Sequence, residues 1–461
     1  MDIAVIGAGY VGLITAAGLA ETGHRVICVD DDLRRIEVLN SGGMPFYEPS
    51  LGDLVERNRQ AKRLEFISQV ECAVAKCQVI FICVGTPPLE NGEADLSSVE
   101  LVARRISEHA RGYHLVIEKS TVPVQTGRRL QKHFGIYGIN SQFQYDVASN
   151  PEFLREGSGV EDFFHPDRIV VGVDSERAAG LLEEIYRPVL EQSFACPIHE
   201  NCRNRPRVPF VVTDINSAEL IKHASNSFLA MKISFINMVA DLCEAVGADV
   251  GKVAEAVGMD RRIGGSFLRP GLGFGGSCFP KDLQAFVRAG HNAGCDFALL
   301  REVERINQSR IESFVKKIKN ELWVVRGKRI GVWGLAFKPC TDDVRSSPSL
   351  GIIRRLLAEG ALVRAYDPQA MAKAQAEVPQ IEYCTDAYVA AEGAEALLAL
   401  TEWEEFLRLD LTKVHQIMAR PLILDGRNMF SRAKMAGHGF EYVDIGSESP
   451  ARKHLTDARK V

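Results

Sequence analysis

Ile3-Ala4-Val5-Ile6-Gly7-Ala8-Gly9-Tyr10-Val11-Gly12 opens the chain as a short apolar run and a glycine-punctuated turn, and an apolar helical stretch then continues to Leu19-Ala20. Strand, turn and helix in that order make the first half of a parallel βαβ unit. Thr22-Gly23-His24 ends the helix, and Arg25-Val26-Ile27-Cys28-Val29-Asp30 reads as the next parallel strand with an acid at its carboxyl end. The glycines take separate parts: Gly7 permits the tight turn, Gly9 lets backbone approach a pyrophosphate, and Gly12 allows close packing of helix on strand. The helix N-terminus then presents its positive dipole end to the phosphates. Asp30, eighteen residues past Gly12, stands where a carboxylate accepts hydrogen bonds from ribose hydroxyls and repels a 2′-phosphate. The fingerprint therefore predicts NAD over NADP.

Further parallel strands follow. Val79-Ile80-Phe81-Ile82-Cys83-Val84 ends in Gly85-Thr86-Pro87-Pro88, and Leu115-Val116-Ile117-Glu118 ends in Lys119-Ser120-Thr121-Val122-Pro123. Ligands of open parallel sheets bind beyond the carboxyl ends of strands, which brings Thr86, Ser120 and Thr121 within reach of cofactor or substrate. As isolated residues they are more often caps and turns. One long helix is predicted from Thr213, as its cap, through Val246 with a stop at Gly247. At over 30 residues it exceeds an ordinary globular helix, so its apolar face is expected to bridge domains or pack on a second subunit. Glu219, Lys222 and Asn226 share one face of it among Leu220, Ile221, Phe228 and Leu229, which suggests the wall of a site in place of a solvated stripe.

After a charged stretch from Arg301 to Lys328, Arg329-Ile330-Gly331-Val332-Trp333-Gly334 and Leu362-Val363-Arg364-Ala365-Tyr366-Asp367 repeat the opening pattern without the full glycine triplet. Ala396-Leu397-Leu398-Ala399-Leu400 and Pro421-Leu422-Ile423-Leu424-Asp425 complete a second α/β domain. The expected fold is α/β, with two Rossmann-like doubly wound domains joined by a long central helix and a small helical domain. The expected division is an N-terminal NAD-binding domain over 1–208, a central helical segment over 209–308 and a C-terminal Rossmann-like domain over 309–461. The polar residues from about Ser447 onward are expected to fray.

A length of 461 residues is too great for one ordinary core. Composition, 46% hydrophobic and 25% charged, is that of a soluble globular protein. No apolar run reaches the roughly 20 residues that span a bilayer. Met1 leads directly into a strand, so no signal peptide is expected and a cytoplasmic location follows. A net charge of −5 argues against a nucleic-acid surface but leaves a small anionic ligand open. Eleven cysteines, an odd number, point to free thiols over a disulfide framework. Cys196-Pro197-Ile198-His199-Glu200-Asn201-Cys202 has a spacing suited to zinc but offers only three ligands, so a surface loop without metal is expected.

Gly271-Leu272-Gly273-Phe274-Gly275-Gly276-Ser277-Cys278-Phe279-Pro280-Lys281-Asp282 sets a thiol behind a chain of glycines and before an ammonium and a carboxylate. Glycines let backbone N–H groups approach a ligand, and a nearby cation favours the thiolate that attacks carbonyl carbon. The plainer alternative is a small buried hydrophobe, the usual state of a free cysteine.

Taken with Asn150-Pro151-Glu152-Phe153-Leu154-Arg155-Glu156-Gly157, Thr341-Asp342-Asp343-Val344-Arg345-Ser346, Thr401-Glu402-Trp403 and Asp425-Gly426-Arg427-Asn428, these runs extend over nearly the whole chain. In that order they resemble the UDP-glucose/GDP-mannose dehydrogenase family. The resemblance implies two Rossmann-like domains, a long helix that forms the core of a homodimer or higher homo-oligomer, and oxidation of the C6 alcohol of a nucleotide sugar to a carboxylate by two NAD molecules. Arg261-Arg262-Ile263-Gly264 and Thr401-Glu402-Trp403 look more like the UDP-glucose branch, whose product, UDP-glucuronate, serves polysaccharide biosynthesis. UDP-N-acetylmannosamine or GDP-mannose is the alternative substrate. A single-step hydroxyacid dehydrogenase would leave Cys278 and the C-terminal domain unexplained.

Carried onto this chain, the resemblance makes Cys278 the nucleophile, with Lys222, Asn226, Asp282, Glu152 and Thr121 as its catalytic partners. It assigns Gly7, Gly9, Tyr10, Val11, Gly12, Asp30 and Arg35 to NAD, joined by Thr86, Pro87, Ser120, Thr121, Glu156, Lys281 and Arg345. Around the nucleotide sugar it sets Glu152, Phe153, Leu154, Arg155 and Glu156, with Lys222 and Asn226. It adds Arg262, Phe267, Arg269, Gly271, Gly273, Phe274 and Gly275, and from the C-terminal domain Phe337, Lys338 and Arg427. Some positions depart from the family pattern. Arg35 stands for a lysine, Gln125 for a glycine and Met238 for an acid, and the Cys196 loop is not a family hallmark. None touches the nucleophile or its polar partners.

Overall fold

The computed structural model describes residues 1–137, 143–199, 202 and 205–447; beyond Ser447, the tail expected to fray lies outside the described residues. The chain divides into two compact units, Met1–Ser225 with Gln284–Ala293, and Asn226–Leu283 with Gly294–Val461. Residues 209–308, set apart in the sequence reading, are shared between them.

Among the described residues the first unit contains eight strands: β1 (Asp2–Ile6), β2 (Arg25–Val29), β3 (Leu64–Ile67), β4 (Val79–Ile82), β5 (Gly112–Glu118), β6 (Phe143–Ser149), β7 (Ile169–Gly172) and β8 (Phe210–Thr213). They form one sheet in the order β3-β2-β1-β4-β5-β6-β7-β8. Every neighbouring pair is parallel except β6 with β7. The first six follow the doubly wound dinucleotide order, with its switch point between β1 and β4. Both faces of this sheet are covered, so β4 is buried throughout and reads as a continuous apolar run. Alternation sorts the side chains: Ile3, Val5, Phe81, Leu115 and Ile117 enter one core, while Ala4, Ile6, Ile80, Ile82 and Val116 enter the other.

The second unit repeats this plan with β9 (Arg329–Trp333), β10 (Leu362–Tyr366), β11 (Glu382–Tyr383), β12 (Ala396–Ala399), β13 (Leu422–Asp425) and β14 (Glu441–Val443). All are parallel, in the order β11-β10-β9-β12-β13-β14. The repeat extends to individual atoms. Gly7 N–H donates to Val29 O at 2.7 Å and Ala8 N–H to Asp30 Oδ2 at 2.7 Å. In the second unit Gly334 N–H donates to Tyr366 O at 2.9 Å and Leu335 N–H to Asp367 Oδ2 at 2.7 Å. In both, an acid after the second strand holds the glycine turn after the first.

The long helix runs over Ile215–Val246. Thr213, expected as its cap, instead pairs with Gly172 in β8, because the strand keeps its backbone extended. Asp214 caps the helix, its Oδ1 accepting Ser217 N–H at 3.0 Å. Gly247 ends it with φ +75°, and Ala248 N–H returns to Cys243 O at 2.9 Å.

Candidate active site

The dinucleotide turn is shaped by close approach. A Cβ on Gly7 would lie 2.4 Å from Cys83 O and one on Gly12 1.8 Å from Gly7 O, whereas one on Gly9 would meet nothing within 4 Å. Gly9 heads the helix Tyr10–Glu21, and no side chain caps its first turn. Backbone N–H groups and the helix dipole around Tyr10, Val11 and Gly12 therefore suit a pyrophosphate. Asp30 is buried; its Oδ2 accepts Ala8 N–H and, at 2.8 Å, Arg35 Nη1. Thr86 Oγ1 donates to Thr121 O at 2.7 Å, which ties the segments after β4 and β5 together. Pro87 follows Thr86, and Ser120 N–H donates to Glu118 Oε1 at 2.8 Å.

Tyr10 is fixed by a residue that sequence reasoning missed. Its hydroxyl donates to Glu48 Oε2 at 2.8 Å, and the Glu48 carboxylate accepts the N–H groups of Gly157 and Gly159, each at 2.6 Å. Glu48 thereby fastens the phosphate-turn helix to the segment carrying Arg155 and Glu156. Burial raises its pKa. No local motif marks Glu48, because these backbone partners are more than 100 residues away along the chain. Arg155 itself pairs with Asp162 and is more than half exposed.

A buried polar cluster lies in the same unit. Lys222 Nζ is 2.8 Å from Glu152 Oε1, and Glu152 Oε2 accepts Leu154 N–H at 2.5 Å. The Lys222 ammonium also stands 5.6 Å from the Phe153 ring centroid. Lys119 Nζ donates to Asn150 Oδ1 at 3.0 Å and Tyr186 OH to the same oxygen at 2.6 Å. Burial pushes Lys119 down to about 8. It pushes Glu118 up to about 8 and Glu219 up to about 7. Glu219, read in one row with Lys222, uses its oxygens on the N–H groups of Gln125 at 2.6 Å and Gly127 at 2.7 Å. It holds the turn after Thr121.

In the second unit Cys278 immediately precedes the helix Phe279–Asn292, and its carbonyl accepts Asp282 N–H at 2.8 Å. A thiol at a helix N-terminus meets a field that favours negative charge. Ser277 Oγ lies 3.5 Å from Cys278 Sγ. Asp282 is 1% exposed; its Oδ2 accepts Asn226 Nδ2 at 2.7 Å, and its Oδ1 lies 3.3 Å from Lys281 Nζ. The carboxylate therefore orients an amide and an ammonium.

The glycine run has a different local cause from the one expected. Gly271 N–H donates to Asn237 Oδ1 and Phe274 N–H to Asn307 Oδ1, both at 2.8 Å, so these two N–H groups serve the protein and not a ligand. Gly273 has φ +94°, and a Cβ there would stand 2.4 Å from Asn307 Oδ1. A Cβ on Gly275 would stand 2.4 Å from Ser346 O and 3.1 Å from Phe337 Cβ. Phe267 and Phe274 have ring centroids 6.1 and 5.8 Å from that of Phe279.

Of the expected substrate cations, Arg427 donates to Leu400 O at 2.8 Å and to Phe337 O at 2.7 Å, and Lys338 Nζ stands 5.6 Å from the Phe337 ring centroid. These two are gathered beside the glycine run. Arg345 forks onto Asp343. Arg262 forks onto Asp260 with its side chain 88% exposed, and Arg269 is also exposed; the fold of this unit does not bury either of them.

The sequence reading counted three ligands in the Cys196 loop; the fold adds a fourth, bringing His165 to Cys196, His199 and Cys202 in one cluster of potential ligands. His165 was not found because it lies 31 residues before Cys196.

Three models of the UDP-glucose/GDP-mannose dehydrogenase family match the chain: the NAD binding domain over residues 1–190, the central domain over 216–309 and the UDP binding domain over 331–432. The chain is 45% identical to UDP-glucose 6-dehydrogenase TuaD of Bacillus subtilis (strain 168), over 96% of its own length and 93% of the relative's. It is 43% identical to a UDP-glucose 6-dehydrogenase of Rhizobium meliloti (strain 1021), over 97% of its own length and 99% of that relative. A UDP-glucose dehydrogenase structure from the hyperthermophilic archaeon Pyrobaculum islandicum matches with a TM-score of 0.86 at 39% identity, covering 96% of this chain and 97% of that one. A UDP-D-ManNAc dehydrogenase structure from Pyrococcus horikoshii matches with a TM-score of 0.81 at 27% identity, covering 97% and 99%.

Proposed function

The chain belongs to the UDP-glucose/GDP-mannose dehydrogenase family, and from that premise we propose that it oxidises the C6 alcohol of UDP-glucose to the carboxylate of UDP-glucuronate with NAD as acceptor. Identity of 45% and 43% to UDP-glucose 6-dehydrogenases, against 27% to the UDP-D-ManNAc enzyme, supports UDP-glucose over its sister sugars. The observation that carries the four-electron route is Cys278: a thiol at a helix N-terminus in a chain that also has a hydride-transfer domain.

NAD, when bound on the Gly7–Gly12 turn, accepts one hydride at a time, so alcohol to acid uses two in sequence. In the first half the C6 hydroxyl proton passes to the carboxylate of the Lys222–Glu152 pair, directly or through a water held by Asp282, and leaves to solvent before the second half, so that Glu152 is again a base. Cys278 Sγ then attacks the aldehyde carbon. A C–S bond forms, the carbonyl π pair moves onto oxygen, and the Lys222 ammonium and Asn226 amide stabilise that oxyanion. One such donor is typically worth about 2.7–4 kcal/mol. The covalent bond keeps the aldehyde from escaping before its second hydride leaves. Water activated by Glu152 and held by Thr121 then cleaves the thioester C–S bond, releasing carboxylate and thiolate.

Lys338, Arg427 and Arg262 supply positive charge for the diphosphate. The 88% exposure of the Arg262 side chain supports its use by a second copy of the chain. A homodimer is supported by Phe228, Phe235, Met238, Leu242 and Val246, each between 48% and 68% exposed on one face of the long helix. Met238, where the family usually carries an acid, extends that apolar stripe. No helix of the described residues is long and apolar enough to cross a membrane. The proposed location is the cytoplasm, where the product would serve as a polysaccharide precursor.

The test is NADH formed per UDP-glucose consumed with sugar limiting. Two are expected. One per sugar would sink the covalent four-electron route, and turnover of UDP-N-acetylmannosamine or GDP-mannose without UDP-glucose would move the specificity to that sugar.

A further inference from the structure

We propose that His165, Cys196, His199 and Cys202 form a structural zinc site that ties the segment after the helix Glu176–Leu190 to the end of the helix Gly159–Phe164. One ligand atom from each residue lies within 4.8 Å of those of the other three. His165 Nε2 is 3.2 Å from Cys196 Sγ and 3.3 Å from Cys202 Sγ. His199 Nδ1 is 3.6 Å and 3.4 Å from the same two sulfurs. A tetrahedral zinc with Zn–S near ~2.3 Å and Zn–N near ~2.05 Å has S···N edges of about 3.6 Å. The four S···N distances, between 3.2 and 3.6 Å, match that edge length or fall just inside it.

The atoms behind the ligands prepare them for a metal. Gln192 Nε2 donates to Phe164 O at 2.8 Å and to Val189 O at 2.7 Å, which fixes the amide so that its Oε1 accepts His165 Nδ1–H at 2.6 Å. With the proton on Nδ1, the Nε2 lone pair of the neutral ring points at the two sulfurs, the tautomer that binds metal. Gln192 holds φ +51° to reach this place, an uncommon conformation for a non-glycine residue. On the other side, His199 Nε2 faces Glu161 Oε1 at 3.8 Å, a carboxylate behind a ligand imidazole. His199 N–H also donates to Cys196 Sγ at 3.4 Å, a contact suited to a thiolate.

The donor set selects the metal. Two sulfurs and two imidazole nitrogens suit zinc, whereas magnesium and calcium take oxygen ligands. With all four positions filled by protein, the site is closed and structural. It cross-links residues 31 and 37 positions apart in sequence, and it anchors the helix whose first residue, Gly159, is held by Glu48. Zinc here stabilises the base of the dinucleotide-binding unit and takes no part in the reaction.

The full chain, without a histidine tag and kept reduced, is assayed by plasma mass spectrometry; one zinc per chain is expected. Cys202→Ser and His165→Asn are expected to lower that content at least tenfold, while Cys295→Ser, at an exposed thiol elsewhere, leaves it unchanged. Because a ligand variant can fail to fold, wild type stripped by chelator is also titrated with cobalt(II). The visible bands of tetrahedral, thiolate-bound cobalt should saturate at one equivalent, and the stripped chain should melt at a lower temperature. The proposal is overturned if the reduced chain takes up neither metal stoichiometrically, if uptake survives both ligand substitutions together, or if the cobalt spectrum is octahedral. A Cys196–Cys202 disulfide that persists in reductant overturns it as well.

Discussion

Lys222 Nζ meets Glu152 Oε1 at 2.8 Å with side chains only 5% and 3% exposed. Taking two charges this far from water is costly, and the cost is offset by their mutual attraction and by the Leu154 N–H on the second carboxylate oxygen. Removing one partner leaves the other charge buried alone. Lys222→Met is therefore expected to destabilise the fold by about 3–5 kcal/mol. Lys222→Met combined with Glu152→Gln should recover much of that loss and remain inactive. Urea midpoints and NADH turnover on both single variants and the double variant check this, and a double variant destabilised by the sum of the two single losses would show that the pair is not coupled.

Cys278→Ser preserves the head of its helix, since serine is itself a good N-cap and only the sulfur changes. The variant should therefore fold with an unaltered melting temperature. Multiple turnover should fall by at least about 10³-fold, because the hydroxyl is a far weaker nucleophile at neutral pH. Intact-mass analysis after mixing wild type with UDP-glucose and NAD should reveal a sugar-nucleotide adduct that the variant lacks. Equal turnover of the two proteins would remove Cys278 from the reaction.

Phe235 and Leu242 lie seven residues apart on the long helix and are 48% and 61% exposed. If this face is the interface of a homodimer, a charge at its centre must be desolvated on association. Phe235→Glu should shift the chain from dimer to monomer in light scattering at micromolar concentration while helix content by circular dichroism stays constant. A variant that remains dimeric would place the interface elsewhere.

The sequence disclosed what is encoded locally. Gly7, Gly9, Gly12 and Asp30 fall within one βαβ unit, and Gly334 with Asp367 repeats their relation, so two Rossmann-like units were legible before any coordinates, though not the antiparallel step from β6 to β7 that extends the first sheet. Cys278 was marked by its own neighbours. Partners distant in sequence left no local trace. Glu48 reaches Gly157 and Gly159, Glu219 reaches Gln125 and Gly127, and His165 reaches Cys196, each across 31 or more residues. Gln125 is an intermediate case. Its departure from the family's glycine was visible, but only the backbone gives the reason for that glycine, a φ of +80° that disfavours side chains.

Glu118 is 1% exposed; Oε1 accepts Ser120 N–H, while Oε2 has no hydrogen-bond partner among the described residues. Burial pushes its pKa from about 4.5 to about 8. Between those values the folded chain keeps a proton that the unfolded chain has released, so this group's contribution to stability falls as pH rises through the window and levels off above about pH 8. Glu118→Gln keeps the shape without titrating. Relative to it, wild type should lose on the order of 4 kcal/mol between about pH 4.5 and about pH 8. Glu219, raised to about 7 by burial, acts in the same direction in both proteins. Lys119, lowered from about 10.5 to about 8, acts oppositely and only above about pH 8. The difference between the two proteins therefore isolates Glu118, provided the substitution leaves its neighbours in place. Urea denaturation across this range measures it, and a difference independent of pH would mean that Glu118 is ionised throughout in the folded chain.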